Sequence, residues 1–203
     1  MNLADSTVFI IDDDPAIRDS LTLMVAQEGF TVSVFESAEA FLETCQTEQL
    51  GCAVVDIRMK GMDGMQLQDA LAKRNIRLPI IFLTGHGDIP MSVRAIKAGA
   101  VDFLTKPVTR EKLMSSVRFA ILESEKSLSE HHNHKNAQSQ LDQLTDRERD
   151  VMALAIQGHP NKEIARLLGI SHRTVEIHKS KVMHKTGATN LLDLARIAHE
   201  GNF

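Results

Sequence analysis

The stretch Thr7-Val8-Phe9-Ile10-Ile11-Asp12-Asp13-Asp14-Pro15 decides the fold class. A run of β-branched and aromatic residues stops abruptly at three carboxylates. A proline follows where a first helical turn begins, which suits its fixed φ. This is the pattern of a buried strand that delivers acidic residues to the sheet edge and then turns into a helix.

Working outward, the same alternation repeats four more times. Short β-branched runs occur at 7–12, 31–35, 52–56, 80–84 and 101–105. Helix-like stretches with apolar residues three and four apart lie between them. One carries Ile17, Leu21, Met24 and Val25, another Met65, Leu67, Leu71 and Ala72, and a third Val93, Ile96 and Ala100. A further helix from Arg110 turns Leu113, Val117, Ala120 and Ile121 inward. Gly29, Gly61, Gly64 and Gly99 punctuate helix ends or turns. Five strands alternating with helices predict a doubly wound α/β domain with a five-stranded parallel sheet over residues 1–123.

From 124 to 140 the chain is polar, rich in Ser, Asn and His, with no Pro or Gly to stop a helix. It reads as a linker compatible with a continuing solvated helix. His131, His132 and His134 have no other ligands near them in the sequence, so they read as part of a polar tether rather than a metal site. After Leu141 the pattern is helical, broken at Gly158–Pro160, Gly169 and Gly187. That predicts a second, smaller all-α domain of four short helices over 141–203.

Composition narrows the function. No apolar run approaches the roughly 20 residues of a membrane-spanning helix, and no basic region precedes a long apolar stretch as in a secretory signal. Cys45 and Cys52 stand alone, the usage of a reducing cytoplasm. Residues 1–123 hold 12 Lys+Arg against 17 Asp+Glu, while 141–203 hold 9 against 8. The acidic N-terminal part is excluded as a nucleic-acid binder; the C-terminal part is not.

In a doubly wound fold, ligands bind beyond the C-terminal ends of the strands. Those ends supply Asp12, Asp13 and Asp14 after the first run, Asp56 after the third, Thr84 after the fourth and Lys106-Pro107 after the fifth. Converging carboxylates repel, so a divalent cation is their natural partner, and all-oxygen ligation favours Mg²⁺ or Mn²⁺. A metal, a hydroxyl and a lysine around one aspartate form a site for phosphoryl transfer. Taken singly, aspartates after strands are often turn formers or helix caps, and Asp14 reads as a cap. The constellation carries the chemistry.

These residues resemble the receiver domain of two-component response regulators, a flavodoxin-like fold. The stretches Leu83-Thr84-Gly85-His86-Gly87-Asp88-Ile89-Pro90-Met91, Lys97-Ala98-Gly99-Ala100 and Asp102-Phe103-Leu104-Thr105-Lys106-Pro107 resemble the FixJ subfamily. The resemblance implies that Asp56 accepts a phosphoryl group from a sensor histidine kinase. It implies that Asp12, Asp13, Asp56 and the backbone carbonyl of Arg58 bind Mg²⁺, and that Thr84 and Lys106 engage the phosphoryl oxygens. Phe103 would change rotamer on activation, and Arg58 and His86 would tune the lifetime of the aspartyl phosphate. One position departs from the family: Lys60 stands where a proline is usual in the loop after Asp56.

In the C-terminal part, Thr145 and Glu148 form a capping-box pattern. The first helix would then bury Val151, Leu154 and Ala155, the second Ile164, Ala165, Leu167 and Leu168, and a third, capped by Ser171, Val175, Val182 and Met183. A fourth carries Leu191, Leu192, Leu194, Ala195 and Ile197, apolar enough to pack and to dimerise. Asn161-Lys162-Glu163-Ile164-Ala165, Ile170-Ser171, Thr174-Val175 and His178 resemble the LuxR-type helix-turn-helix. Its third helix would be the recognition helix in the major groove. Arg173, Lys179, Lys181 and Lys185 on that helix, and Lys162 before it, would meet phosphates, with Thr174 among the contacts. Glu176, Ile177 and Ser180 would face base edges.

The implied function is a cytoplasmic regulator that dimerises on phosphorylation, binds double-stranded promoter DNA, works with RNA polymerase as an activator, and is not an enzyme acting on an external substrate. A small-substrate phosphatase would need an Asp-x-Asp-x-x-x-Thr pattern, but Arg18 stands in the fourth place after Asp14. A protein- or RNA-binding role for the helical part fits the basic third helix less well. A small-molecule quorum sensor would need an apolar ligand pocket in place of the acidic site.

Overall fold

The computed structural model describes residues 6–85 and 89–203. The chain divides into two compact units, Met1–Leu128 and Ser129–Phe203. In the first, β1 (Thr7–Ile11), β2 (Thr31–Phe35), β3 (Gly51–Asp56), β4 (Ile80–Thr84) and β5 (Asp102–Thr105) form one sheet in the order β2-β1-β3-β4-β5. Every neighbouring pair is parallel.

Strand alternation builds two cores. Phe9 and Ile11 of β1 face one side with Val55 and Phe82, while Val8 and Ile10 face the other with Val54 and Ile81. The first side is covered by α2 (Ala38–Thr44), α3 (Gly64–Lys73) and α4 (Ile89–Lys97), through Phe41, Leu67, Leu71 and Ala95. The second is covered by α1 (Pro15–Ala26) and the start of α5 (Arg110–Asp142), through Leu21, Val25, Leu113, Val117 and Ile121. All six residues of β3 are buried, as expected of a central parallel strand. Its first residue, Gly51, has no room for a side chain, since an added Cβ would collide with the Thr7 carbonyl oxygen. The Gly51 N–H donates to the Ser124 hydroxyl of α5 at 3.2 Å.

Two helix faces differ from the sequence reading. On α3 the inward position falls to Gln68 rather than Ala72, which is exposed. Gln68 is accepted there because its Nε2 donates to the Ala98 carbonyl at 3.1 Å. On α4 the small Ala95 packs against the sheet, so Val93 and Ile96 point outward.

In the second unit the end of α5 packs with α6 (Asp146–Ile156), α7 (Asn161–Leu168), α8 (His172–Thr186) and α9 (Leu191–Glu200). The polar segment 124–140 lies within α5. On it, His134 Nδ1 lies 2.5 Å from the Glu200 carbonyl oxygen. Ala137, Leu141, Met152, Val182, Leu194 and Ile197 form one core cluster, and Val151, Ala155, Ile164 and Val175 a second. Thr145 and Glu148 cap α6 reciprocally, and Ser171 caps α8. Gly169 ends α7 at φ +66°, a left-handed turn that favours glycine. Leu167, expected inward, is exposed, because the short α7 buries only the stripe centred on Ile164. No helix among the described residues is long and apolar enough to cross a membrane.

Candidate functional site

The parallel sheet brings its strand ends to one edge. Asp12, just past β1, is 1% exposed, and its Oδ1 accepts from the Asp14 N–H at 3.0 Å. Arg18 of α1 donates to the Asp12 carbonyl at 2.7 Å, fixing the backbone from the other side. Asp14 caps α1 by accepting from the Ala16 N–H, the role expected of it. Asp56 ends β3, and its Oδ1 accepts from the Arg58 N–H at 3.2 Å. Lys106, just past β5, lies between the two acids: its Nζ donates to Asp12 Oδ2 at 2.6 Å and to Asp56 Oδ2 at 2.9 Å.

Carboxylate oxygens of Asp12, Asp13 and Asp56 lie within 4.8 Å of one another. Burial pushes the Asp12 carboxyl up, only partly offset by its hydrogen bond from Lys106. Burial alone would lower the Lys106 ammonium, but its bonds to Asp12 and Asp56 outweigh this and hold it above the usual lysine value. Three acids of this kind, with oxygen the only donor, suit a hard divalent cation. A lysine already between two of them shows that the site stabilises positive charge.

Thr84, buried at the end of β4, is beside this cluster, since Asp56 pairs with Leu83 and the Lys106 N–H donates to the Thr84 carbonyl at 2.7 Å. Phe103 on β5 is half-buried against the first core. Arg58 is exposed. His86 lies outside the described residues.

Two site-shaping residues were not singled out from the sequence for these roles. Gly64, the first residue of α3, sits under Asp56, where an added Cβ would lie 2.7 Å from the Asp56 carbonyl oxygen and 3.0 Å from Phe82. Glu39 of α2 accepts from the Met62 N–H at 2.8 Å, and backbone hydrogen bonds hold its carboxyl below the usual range. The loop that has Lys60 in place of a proline is thus tied from α2 instead. The sequence signal for Gly64 was its place after a turn; Glu39 is 23 residues from its partner, too far for any local pattern. Gly64→Ala is expected to push the Asp56 backbone out of place. Melting should fall by several degrees and phosphorylation should slow about tenfold. Unchanged rates and melting would mean that the turn relaxes freely.

On α8, the exposed residues Arg173, Glu176, Ile177, Ser180 and Lys181 follow three- and four-residue spacing opposite the buried Val175 and Val182. Lys162 is exposed on α7, and Thr174 is half-buried, its hydroxyl 2.8 Å from that of Ser171. Glu176 lies 3.6 Å from His172. Lys179 is half-buried and donates to Asn161 Oδ1 at 3.0 Å, joining α8 to the start of α7. Lys185 departs from the sequence reading. Its ammonium turns inward to Glu148 Oε2 at 2.6 Å and the Gln143 carbonyl at 3.0 Å, because the buried Glu148 carboxylate needs a counter-charge.

Residues 8–118 match the response regulator receiver domain family, and residues 142–198 match the bacterial regulatory proteins of the luxR family. The chain belongs to the two-component response regulators that join a receiver to a LuxR-type DNA-binding domain. The regulator is 40% identical to the transcriptional regulatory protein FixJ of Bradyrhizobium diazoefficiens over 191 residues, 94% of this chain and 93% of that one. It is 40% identical to FixJ of Rhizobium meliloti over 201 residues, 99% and 98% of the two chains. Among solved structures it is similar to the response regulator StyR, with TM-score 0.86 and 38% identity over 97% of this chain and 100% of that one. The regulator is therefore a FixJ-like transcriptional regulator. Its receiver implies a kinase partner, its helical domain implies DNA, and its acidic cluster is of the kind that binds divalent metal.

Proposed function

We propose that the regulator takes a phosphoryl group from a sensor kinase histidine onto Asp56, dimerises, and binds promoter DNA through α8 as an activator working with RNA polymerase in the cytoplasm. The observation that carries the reading is the Lys106 ammonium held by both Asp12 and Asp56, at 2.6 and 2.9 Å. A carboxylate flanked by a fixed ammonium can attack phosphorus while the cation takes up charge on the phosphoryl oxygens. One Asp56 oxygen forms the new P–O bond as the P–N bond to the kinase histidine breaks.

Asp12, Asp13, Asp56 and the Arg58 carbonyl would hold Mg²⁺, or Mn²⁺. When bound, such an ion supplies positive charge against the phosphoryl oxygens. Lys106 gives up its bond to Asp56 and follows the transferred group, with the Thr84 hydroxyl as a second donor. Phe103, half-buried on β5 opposite Phe82 of β4, would change rotamer as that hydroxyl moves. The chemistry stays on the regulator's own Asp56, with no external substrate turned over. In this reading the receiver occupies 1–123, the linker 124–140 and the DNA-binding domain 141–203.

On the DNA side, Lys162, Arg173, Thr174, Lys179 and Lys181 would meet the backbone, with Lys179 shared between Asn161 and a phosphate. Glu176, Ile177 and Ser180 would read bases. Glu176 can accept from cytosine N4, and Ile177 can contact a thymine methyl. Arg173→Ala and Lys181→Ala should each weaken binding across all sequences and reduce the slope of log affinity against log salt by about 0.9. Fluorescence anisotropy on labelled promoter DNA measures this, and an unchanged slope removes that residue from the phosphate contacts.

The reading as a whole is tested by molar mass and promoter binding of the full chain, with and without a small phosphodonor and Mg²⁺. Dimers and tighter binding with the donor support it. Identical mass and affinity in both conditions reject it.

A further inference from the structure

Asp12 and Asp56 are held by the sheet itself. Asp56 closes the fully buried β3, and the Ile57 N–H just beyond it still donates to the Leu83 carbonyl at 3.0 Å. Arg18 fixes the backbone of Asp12. The Arg58 carbonyl is placed differently, because it belongs to the loop between β3 and α3. The Gly64 N–H closes that loop on the Ile57 carbonyl at 3.0 Å. Inside it the Arg58 N–H donates to Asp56 Oδ1 at 3.2 Å. The Arg58 carbonyl lies on the next peptide, so its direction follows the rest of the loop. Lys60, exposed in that stretch, has no ring to fix its φ as a proline has.

Glu39 of α2 constrains the loop from outside. Its Oε1 accepts from the Met62 N–H at 2.8 Å, across 23 residues of chain. Gly61 permits the approach, since a Cβ there would lie 2.6 Å from Glu39 Oε1. The same residue has φ +76°, a left-handed turn that favours glycine. Turn geometry and the room for Glu39 thus meet at one position beside the bond. Backbone hydrogen bonds, from its own N–H and then from Met62, hold the Glu39 carboxyl below the usual carboxylate range. It is therefore an ionised acceptor at neutral pH, the stronger kind.

We infer that Glu39 is a positioning residue: through Met62 it holds the loop so that the Arg58 carbonyl suits a small hard cation, and it thereby sets the preference of the site for Mg²⁺ over Ca²⁺. The inference rests on the proposed reading of Asp12, Asp13, Asp56 and the Arg58 carbonyl as the ligands. Mg²⁺ takes oxygens at about 2.0–2.1 Å in a near-octahedral set, whereas Ca²⁺ accepts about 2.3–2.6 Å in a looser one. A carbonyl set free to shift slightly therefore costs Mg²⁺ much and Ca²⁺ little. Glu39 acts on the ion only through the loop, so its effect is one of geometry and is separable from its charge.

The test uses the full chain without phosphodonor, titrated with Mg²⁺ alone and with Ca²⁺ alone. NMR follows the amide shifts of Asp13 and Arg58. Glu39→Gln keeps an oxygen for the Met62 N–H, and Glu39→Ala removes it. Both lose the same charge, so the difference between them reports the hydrogen bond. Glu39 is exposed, so both variants should fold. Relative to Glu39→Gln, Glu39→Ala should bind Mg²⁺ about tenfold more weakly and Ca²⁺ less than about threefold more weakly. Without metal, the Met62 amide should exchange with solvent about tenfold faster in Glu39→Ala than in the wild type, as befits one charge-assisted hydrogen bond. Equal Mg²⁺ affinity in the two variants, equal losses for the two ions, or unchanged Met62 exchange overturns the inference and leaves the functional reading standing. A wild-type chain that does not bind Mg²⁺ rejects both.

Discussion

Asp56→Asn is expected to abolish every response of the regulator to a phosphodonor. Asparagine has nearly the size of aspartate and keeps an oxygen for the Arg58 N–H, now 3.2 Å from Asp56 Oδ1. It loses the anionic oxygen that, in the proposed function, would attack phosphorus, and with it one of the two counter-charges of Lys106. Lys106 keeps its bond to Asp12, so the fold should survive with melting changed by only a few degrees. In the wild type, donor plus Mg²⁺ should raise promoter affinity about ten- to a hundredfold, the usual range of coupling between two sites. In the variant the two curves should coincide. Intact-mass analysis, molar mass and anisotropy on one sample check this together. A variant that still dimerises and tightens with donor would move the switch away from Asp56.

The second large effect is on stability and lies in the helical unit. Glu148 is 3% exposed and accepts from Lys185 Nζ at 2.6 Å and from the Thr145 N–H at 2.9 Å. Its hydrogen bond from Lys185, helped by Thr145, lowers its carboxyl to about 2. Glu148→Ala removes a capping contact and leaves the Lys185 ammonium beside the Gln143 carbonyl alone. The cost should be about 2–3 kcal/mol, below that of a fully buried pair because Lys185 can partly rehydrate.

The pH dependence has a definite sign. A carboxyl lowered on folding contributes stability that is complete above its unfolded value of 4.5 and is lost as pH falls from there toward about 2. Acid destabilisation through that window should be shallower in Glu148→Gln than in the wild type. The chain has no Trp or Tyr, so calorimetry, with hydrogen-exchange mass spectrometry across residues 144–190, is the suitable readout. No loss of protection in that region on Glu148→Ala would show that the pair is dispensable.

The strands and the acidic site were legible because both follow local rules. Strand ends sit at fixed places in an α/β sheet, so Asp12, Asp56, Thr84 and Lys106 could be gathered on one edge from their order alone. The capping residues Thr145 and Ser171 were equally local. What could not be read depended on distant partners or on which turn of a helix wins the core. Lys185 looked like a phosphate contact because its partner Glu148 is 37 residues away. Leu167 and Ala72 were expected inward because hydrophobicity cannot tell that Ile164 and Gln68 hold those faces. Glu39 gave no signal at all, since its partner, the Met62 N–H, is a backbone group.

The bond from the Gly51 N–H to Ser124 gives β3 a mechanical character. The strand is clamped to α5 at one end and bears Asp56 at the other, with nothing between but buried residues. Close-packed interiors compress little and transmit strain. Under the proposed phosphorylation of Asp56, strain at that end of β3 would be delivered, with little slack, to α5, which continues past residue 128. β3 works as a strut as well as a scaffold.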